Sequence, residues 1–192
     1  MTPLIPQRHR VDIAIIALAS APMDLTPFIR DVPNFPKPGI IFKDITPLLG
    51  NAKALTFAVD AIAHAHVGKG ITKVVGIESR GFILAPPVAL ALGVGFVPIR
   101  KPGKLPWKAI RESYNLEYGN DSIEIHEDSI TSADTVLMID DVLATGGTME
   151  AAVKLVRRVG GKIVGTAFLI DLAFLGGATR LDSPVYSVLR YN

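Results

Sequence analysis

Asp140 and Asp141 stand side by side at the end of an apolar run, inside the stretch "VLMIDDVLATGGT" at residues 136–148. Neither two adjacent carboxylates nor a glycine-rich turn serves a hydrophobic core. Ala144, Thr145, Gly146, Gly147 and Thr148 have the composition of a dianion cradle. Backbone N–H groups aimed by the start of a helix can meet a phosphate monoester, the glycines let the backbone come close, and the threonine hydroxyls add donors. Carboxylates in contact with that phosphate would repel it, so Asp140 and Asp141 must face another part of the same ligand. The vicinal hydroxyls of a ribose suit them, either directly or through Mg²⁺. Helix capping alone would explain one aspartate, but not two followed by Gly-Gly-Thr. The stretch therefore predicts a sugar-phosphate site at a strand–turn–helix junction.

Such a junction needs a sheet behind it. The chain alternates strand and helix patterns, which predicts an α/β fold with a central parallel sheet flanked by helices. "TKVVGI" (72–77), "GFVPI" (95–99), "TVLMI" (135–139), "IVGTAFLI" (163–170) and "VYSVL" (185–189) read as strands. "NAKALTFAVDAIAHAHV" (51–67), "RGFILAPPVALAL" (80–92) and "GTMEAAVKLVRRV" (147–159) read as helices or turn-helix segments, the last stopped by Gly160 and Gly161. Two stretches break the alternation. Residues 24–47 are proline-rich and predict a small irregular hood, while residues 100–134 are polar and rich in Tyr and Gly, as suits a β-hairpin flap. Ligands of a parallel sheet gather at the carboxyl ends of its strands, where the aspartates are expected.

Composition narrows the classes further. The chain has 192 residues, enough for one domain with a sizeable core, and 49% of them are hydrophobic. A formal charge of +2 gives no reason to invoke nucleic acid or an anionic membrane as partner. The absence of cysteine excludes disulfide scaffolds, thiolate catalysis and Cys-ligated zinc, and it fits a cytoplasmic protein. Residues 81–99 carry no charge, yet Pro86, Pro87, Gly93, Gly95 and Pro98 make them a helix followed by a strand rather than a membrane span. His9, His64, His66 and His126 match no triad or metal spacing and are expected to be structural.

The long motif closely resembles the phosphoribosyl diphosphate (PRPP) signature of the type I phosphoribosyltransferases. "FPKPGIIFKDITPLL", "GIESRGFILAP", "IRKPGKLP" and "SYNLEYG" accompany it in the order and spacing found among adenine phosphoribosyltransferases, covering about residues 24–192. The resemblance implies the type I fold, a purine salvage reaction that converts adenine and PRPP to AMP and diphosphate, Mg²⁺ as cofactor, and a homodimer. It implies that Ser79, Arg80, Arg100, Lys101 and Lys104 meet the diphosphate. Glu117 would act at adenine N7 as general acid or base, with Arg80 supporting catalysis and Tyr118 closing the flap. Ile41, Phe42 and Lys43 would form the adenine pocket. Lys43 stands where an arginine is frequent, and Glu78 where an aspartate is common. Magnesium would be carried by the substrate's diphosphate and ribose, with Asp140 and Asp141 as candidate ligands.

Two rivals stay open at this point: a phosphoribosyltransferase for another purine base, and a non-catalytic PRPP-sensing regulator. The second would need a nucleic-acid surface, and the segment before residue 24 is too short for a winged-helix domain. Residues 1–22 are expected to be a separate extension, disordered or upstream of the native start at Met23, with a cleaved signal as the third explanation. Residues 23–192 are then a single phosphoribosyltransferase domain.

Overall fold

The computed structural model describes residues 23–116 and 119–192. After a 3-10 turn at Thr26–Phe28 come β1 (Arg30–Pro33), β2 (Ile41–Asp44), α1 (Thr46–Leu49), α2 (Ala52–His64), β3 (Lys73–Ile77), α3 (Gly81–Leu92) and β4 (Gly95–Ile99). There follow β5 (Ala109–Leu116), β6 (Gly119–His126), β7 (Thr135–Leu143), α4 (Gly147–Arg158), β8 (Lys162–Leu172) and β9 (Val185–Tyr191). Five strands form the parallel sheet in the order β4-β3-β7-β8-β9. The chain winds from β3 outward to β4 and then back to β7 on the other side. That reversal opens a crevice between the carboxyl ends of β3 and β7, where open α/β sheets bind ligands.

Both faces of the sheet are covered, which is why its strands read as continuous apolar runs rather than alternating ones. Val74, Leu137, Ile139 and Ala167 pack with Ile62 of α2 and with Leu84 and Val88 of α3. Their sequence neighbours Val75, Val136, Met138 and Phe168 turn the other way, onto Ala152, Leu155 and Val156 of α4. Helix α4 shows its amphipathicity directly: Leu155 and Val156 are fully buried, while Lys154, Arg157 and Arg158 are exposed. Truncating Leu155 to alanine would cost about 2–5 kcal/mol. At the start of α2 the Asn51 side chain accepts from the Ala54 amide at 3.0 Å, fixing where the helix begins. His66 is buried, with Nδ1 2.7 Å from Ile62 O. No described helix is long and apolar enough to cross a membrane.

Three expectations change. The hood is more regular than its prolines imply, because β1 and β2 form an antiparallel ladder from Arg30↔Asp44 to Pro33↔Ile41. Pro33 is tolerated there because a two-stranded ribbon has free edges. The hairpin is narrower than residues 100–134, with its strands paired from Ala109↔His126 to Leu116↔Gly119. Strand β7 does not stop at Ile139 but runs through both aspartates to Leu143. Residues 1–22 lie outside the described residues.

Candidate active site

The two sides of β7 end at different heights. Its pairing with β3 stops at Gly76↔Ile139, whereas its pairing with β8 continues through Asp140↔Phe168 to Leu143↔Asp171. Asp140 and Asp141 therefore sit inside the strand's last stretch, and neighbouring strand residues face opposite ways. Asp140 faces a cavity of about 80 Å³ that Phe168 and residues 142–149 also line. Asp141 turns from it and is only 5% exposed, with Arg80 Nε 2.7 Å from its Oδ2. That contact is charge pairing without an aligned hydrogen bond. The expected joint action of the pair on one sugar is thus split in this structure: Asp140 lines the cavity and Asp141 anchors Arg80.

Burial, reinforced by the Asp141 charge, pushes the Asp140 carboxyl well above the usual carboxylate range. Burial also raises Asp141, with Arg80 working against it. The Asp140 Oδ1 accepts the Asp141 amide at 2.9 Å, a short-range compensation that leaves the other oxygen for a ligand. Two desolvated carboxylates side by side carry an electrostatic cost that hydroxyl donors or a cation would relieve.

Next comes the turn. Gly146 adopts φ +83° as the cap of α4, and it has no side chain to bond the helix's first amides. Amides at the start of a helix without a side-chain cap can meet an anion. The turn is braced from behind by Gly177, a residue sequence reasoning missed. A Cβ on Gly146 would lie 2.7 Å from Gly177 O, and a Cβ on Gly177 would collide with Ala144 O. Only two glycines let these backbones cross so closely. The signal was present in the Gly176-Gly177 pair after β8. Phe168 and Met149 also line the cavity.

Across the crevice, β3 runs into Glu78, Ser79 and Arg80, with a cis Glu78–Ser79 peptide and α3 beginning at Gly81. Ser79 is exposed. Besides pairing with Asp141, the Arg80 guanidinium lies 4.9 Å from the Phe42 ring centroid. It joins the hood to the sheet rather than standing free. The basic loop after β4 is also internally occupied. Arg100 Nε donates to Glu78 Oε2 at 3.1 Å, Lys104 Nζ pairs with Glu78 Oε1, and Lys101 Nζ pairs with Asp121 on β6.

In the hood, the Phe42 ring contacts both Arg80 and Phe35, whose centroid is 5.1 Å from it in edge-on contact. Ile41 is exposed beside it. Lys43 is engaged elsewhere: it pairs with Asp31 at 2.7 Å and lies 4.1 Å from the Tyr191 ring centroid. Glu117 and Tyr118 lie outside the described residues. The β5–β6 hairpin is tied to α4 by Arg158, which pairs with Glu112 at 3.0 Å, and its two strands are bridged by Arg111, which pairs with Glu124 at 2.6 Å. Among the described residues no group of three or more His, Asp or Glu could hold a metal alone. Asp140 in its cavity does fit a Mg²⁺ ion that brings most of its oxygen ligands with the substrate.

The phosphoribosyl transferase domain family matches residues 49–189 of the chain. The curated adenine phosphoribosyltransferase of Myxococcus xanthus is 56% identical over 158 residues, spanning 82% of this chain and 86% of the relative. Among solved structures, the adenine phosphoribosyltransferase of Thermoanaerobacter pseudethanolicus superposes with a TM-score of 0.85 at 45% identity, over 87% of this chain and 98% of that one. The Saccharomyces cerevisiae enzyme, solved with an imino-altritol bisphosphate and adenine, gives a TM-score of 0.82 at 39% identity, over 85% and 96% of the two chains.

Proposed function

Because the chain belongs to the adenine phosphoribosyltransferases, we propose that the crevice between β3 and β7 is where adenine and PRPP become AMP and diphosphate. The chain is a pentosyltransferase of purine salvage. One observation carries the location: at the sheet's switch point, Asp140 and residues 144–148 line one cavity, an acidic residue beside a glycine-rich turn. The rivals acting on another base or only sensing PRPP have no observation in their favour.

The 5′-phosphate of PRPP occupies the turn of Ala144, Thr145, Gly146, Gly147 and Thr148, held by the amides at the start of α4. Asp140 accepts from the ribose hydroxyls, and Asp141 acts through its ion pair with Arg80. Ser79, Arg80, Arg100, Lys101 and Lys104 receive the diphosphate. Adenine enters the slot beside Phe42, with Ile41 presenting backbone groups to its edge. Adenine N9 then forms a bond to C1′ as the C1′–O bond to diphosphate breaks. Positive charge grows on the ribose and negative charge on the leaving group, so positioning and fixed charges supply the rate enhancement. Glu117 handles the purine proton near N7, and Tyr118 closes over the site. Asp140, together with oxygens of the substrate, would hold Mg²⁺, and that ion would supply charge neutralisation of the diphosphate.

Lys43, already paired with Asp31, supports the hood rather than contacting the base. The chain works as a cytoplasmic homodimer, a reading supported by exposed Leu90 and Ile83 on α3, 82% and 40% accessible. Residues 23–192 form the catalytic domain. The test is incubation with PRPP, Mg²⁺ and, separately, adenine, guanine, hypoxanthine, xanthine or uracil, with nucleotide product read by chromatography. AMP as the dominant product supports the reading, and a different nucleotide or none overturns it.

A further inference from the structure

Glu78 follows directly on β3, and its side chain is only 11% exposed although it lies at the mouth of the crevice. Its carboxylate reaches into the loop after β4 and ties both ends of it. Oε2 accepts from Arg100 Nε and from the Lys101 amide, each at 3.1 Å, while Oε1 takes Lys104 Nζ. Arg100 Nη1 closes the ring by donating to Lys104 O at 3.2 Å. From the opposite side, the Gly103 amide donates to Glu124 Oε2 at 2.9 Å. Burial pushes the Glu78 carboxyl up, but its bonds from Lys104, the Lys101 amide and Arg100 outweigh that and leave it below its usual value.

The bonds fall on the charged heads of Arg100 and Lys104, not only on loop backbone. Those side chains are otherwise 34% and 49% exposed and would sample many rotamers. Ser79 and Arg80 come next in the chain, so one carboxylate links the cation loop to the neighbouring anion-binding turn.

We propose that Glu78 is a positioning residue for the reaction: its carboxylate holds Arg100 and Lys104 at the spacing that captures the diphosphate end of PRPP. It touches no substrate atom itself. This rests on the assignment of Arg100 and Lys104 to diphosphate made above. Prepaid ordering of two flexible cations strengthens anion capture, and it outweighs the charge that Glu78 cancels. The two effects predict opposite signs on removal of the carboxylate charge, which makes the proposal decidable.

Glu78→Gln keeps the shape and removes the charge. Beside it stand Glu78→Asp, which keeps the charge one methylene shorter, and the double variant Arg100→Met with Lys104→Met. The readouts are KM for PRPP, KM for adenine, Kd for Mg²⁺-diphosphate and melting temperature. Glu78→Gln should raise KM for PRPP and Kd for diphosphate about tenfold or more, the scale of lost charge-assisted bonds. KM for adenine should stay within about twofold, and Glu78→Asp should recover part of the loss. Unchanged or tighter diphosphate binding by Glu78→Gln overturns the proposal. So does an equal loss of adenine binding alongside a lower melting temperature with no recovery in Glu78→Asp, which is the signature of a merely structural role. If the Met double variant binds diphosphate normally, the cation assignment itself falls and the proposal with it. If only the Met variant is weakened, the assignment stands and the role of Glu78 falls alone.

Discussion

Replacing Asp140 by asparagine should make the free protein more stable and the enzyme far worse. Asp140 Oδ1 accepts one amide hydrogen bond, from Asp141 at 2.9 Å, and an asparagine carbonyl can accept it equally well. What disappears is a charge that burial and the neighbouring carboxylate both disfavour. Two like charges on adjacent residues repel by about 1–3 kcal/mol at an effective dielectric of about 20, and Arg80 offsets part of that. A net gain of about 1–2 kcal/mol remains, which for a chain of this size raises the melting temperature by about 2–8 °C. The pH dependence has a definite sign. A carboxyl whose folded pKa lies above its usual 3.8 contributes stability that is present at low pH and lost as pH rises through the folded value. The advantage of Asp140→Asn should therefore be largest at neutral pH and shrink as pH falls towards the acid range. Meanwhile the loss of a charged acceptor for ribose hydroxyls should raise KM for PRPP about ten- to a hundredfold. Paired thermal melts across pH and PRPP titrations check both halves. A lower melting temperature at neutral pH would refute the electrostatic cost assigned to Asp140, and unchanged PRPP use would refute its place at the ribose.

Glu117→Gln should lower kcat about 10²- to 10⁴-fold with KM for PRPP little changed. Steady-state kinetics within about twofold of wild type would leave Glu117 as an ordinary flap residue. Gly177→Ala should destabilise the domain by about 1–3 kcal/mol and raise KM for PRPP, because the new methyl displaces Ala144 and with it the phosphate turn. A variant with wild-type melting and PRPP use would show that the two backbones separate freely. A chain beginning at Met23, which packs against the core, should match the 192-residue form in melting temperature and kcat/KM. A drop of several degrees would mean that residues 1–22 dock on the domain.

The strands flanking the site were legible because a parallel strand buried on both faces leaves an unbroken apolar run, as in Lys73–Ile77 and Gly95–Ile99. Helix α4 was legible because its apolar residues fall on one side. The last residues of β7 were not, since carboxylates in a strand look the same as carboxylates beyond it. That misplacement hid the split between Asp140 and Asp141, which a two-residue period would otherwise have required. The ladder in the hood was masked by prolines, whose low strand propensity says nothing about an edge position. Least visible were the long-range partners. Nothing near Glu78 in sequence announces that it holds Arg100 and Lys104, and nothing near Arg80 announces Asp141, because those meetings are products of the sheet's winding. The type of chemistry was written locally, in the 140–148 stretch; its wiring was written in the topology.

The most direct measurement is a crystal structure of the protein with AMP. The 5′-phosphate should be received by the amides of residues 145–148, the ribose hydroxyls should lie within hydrogen-bond distance of Asp140, and the adenine ring should stack on Phe42. AMP bound with its phosphate away from the turn, or with its base away from the hood, would contradict the account.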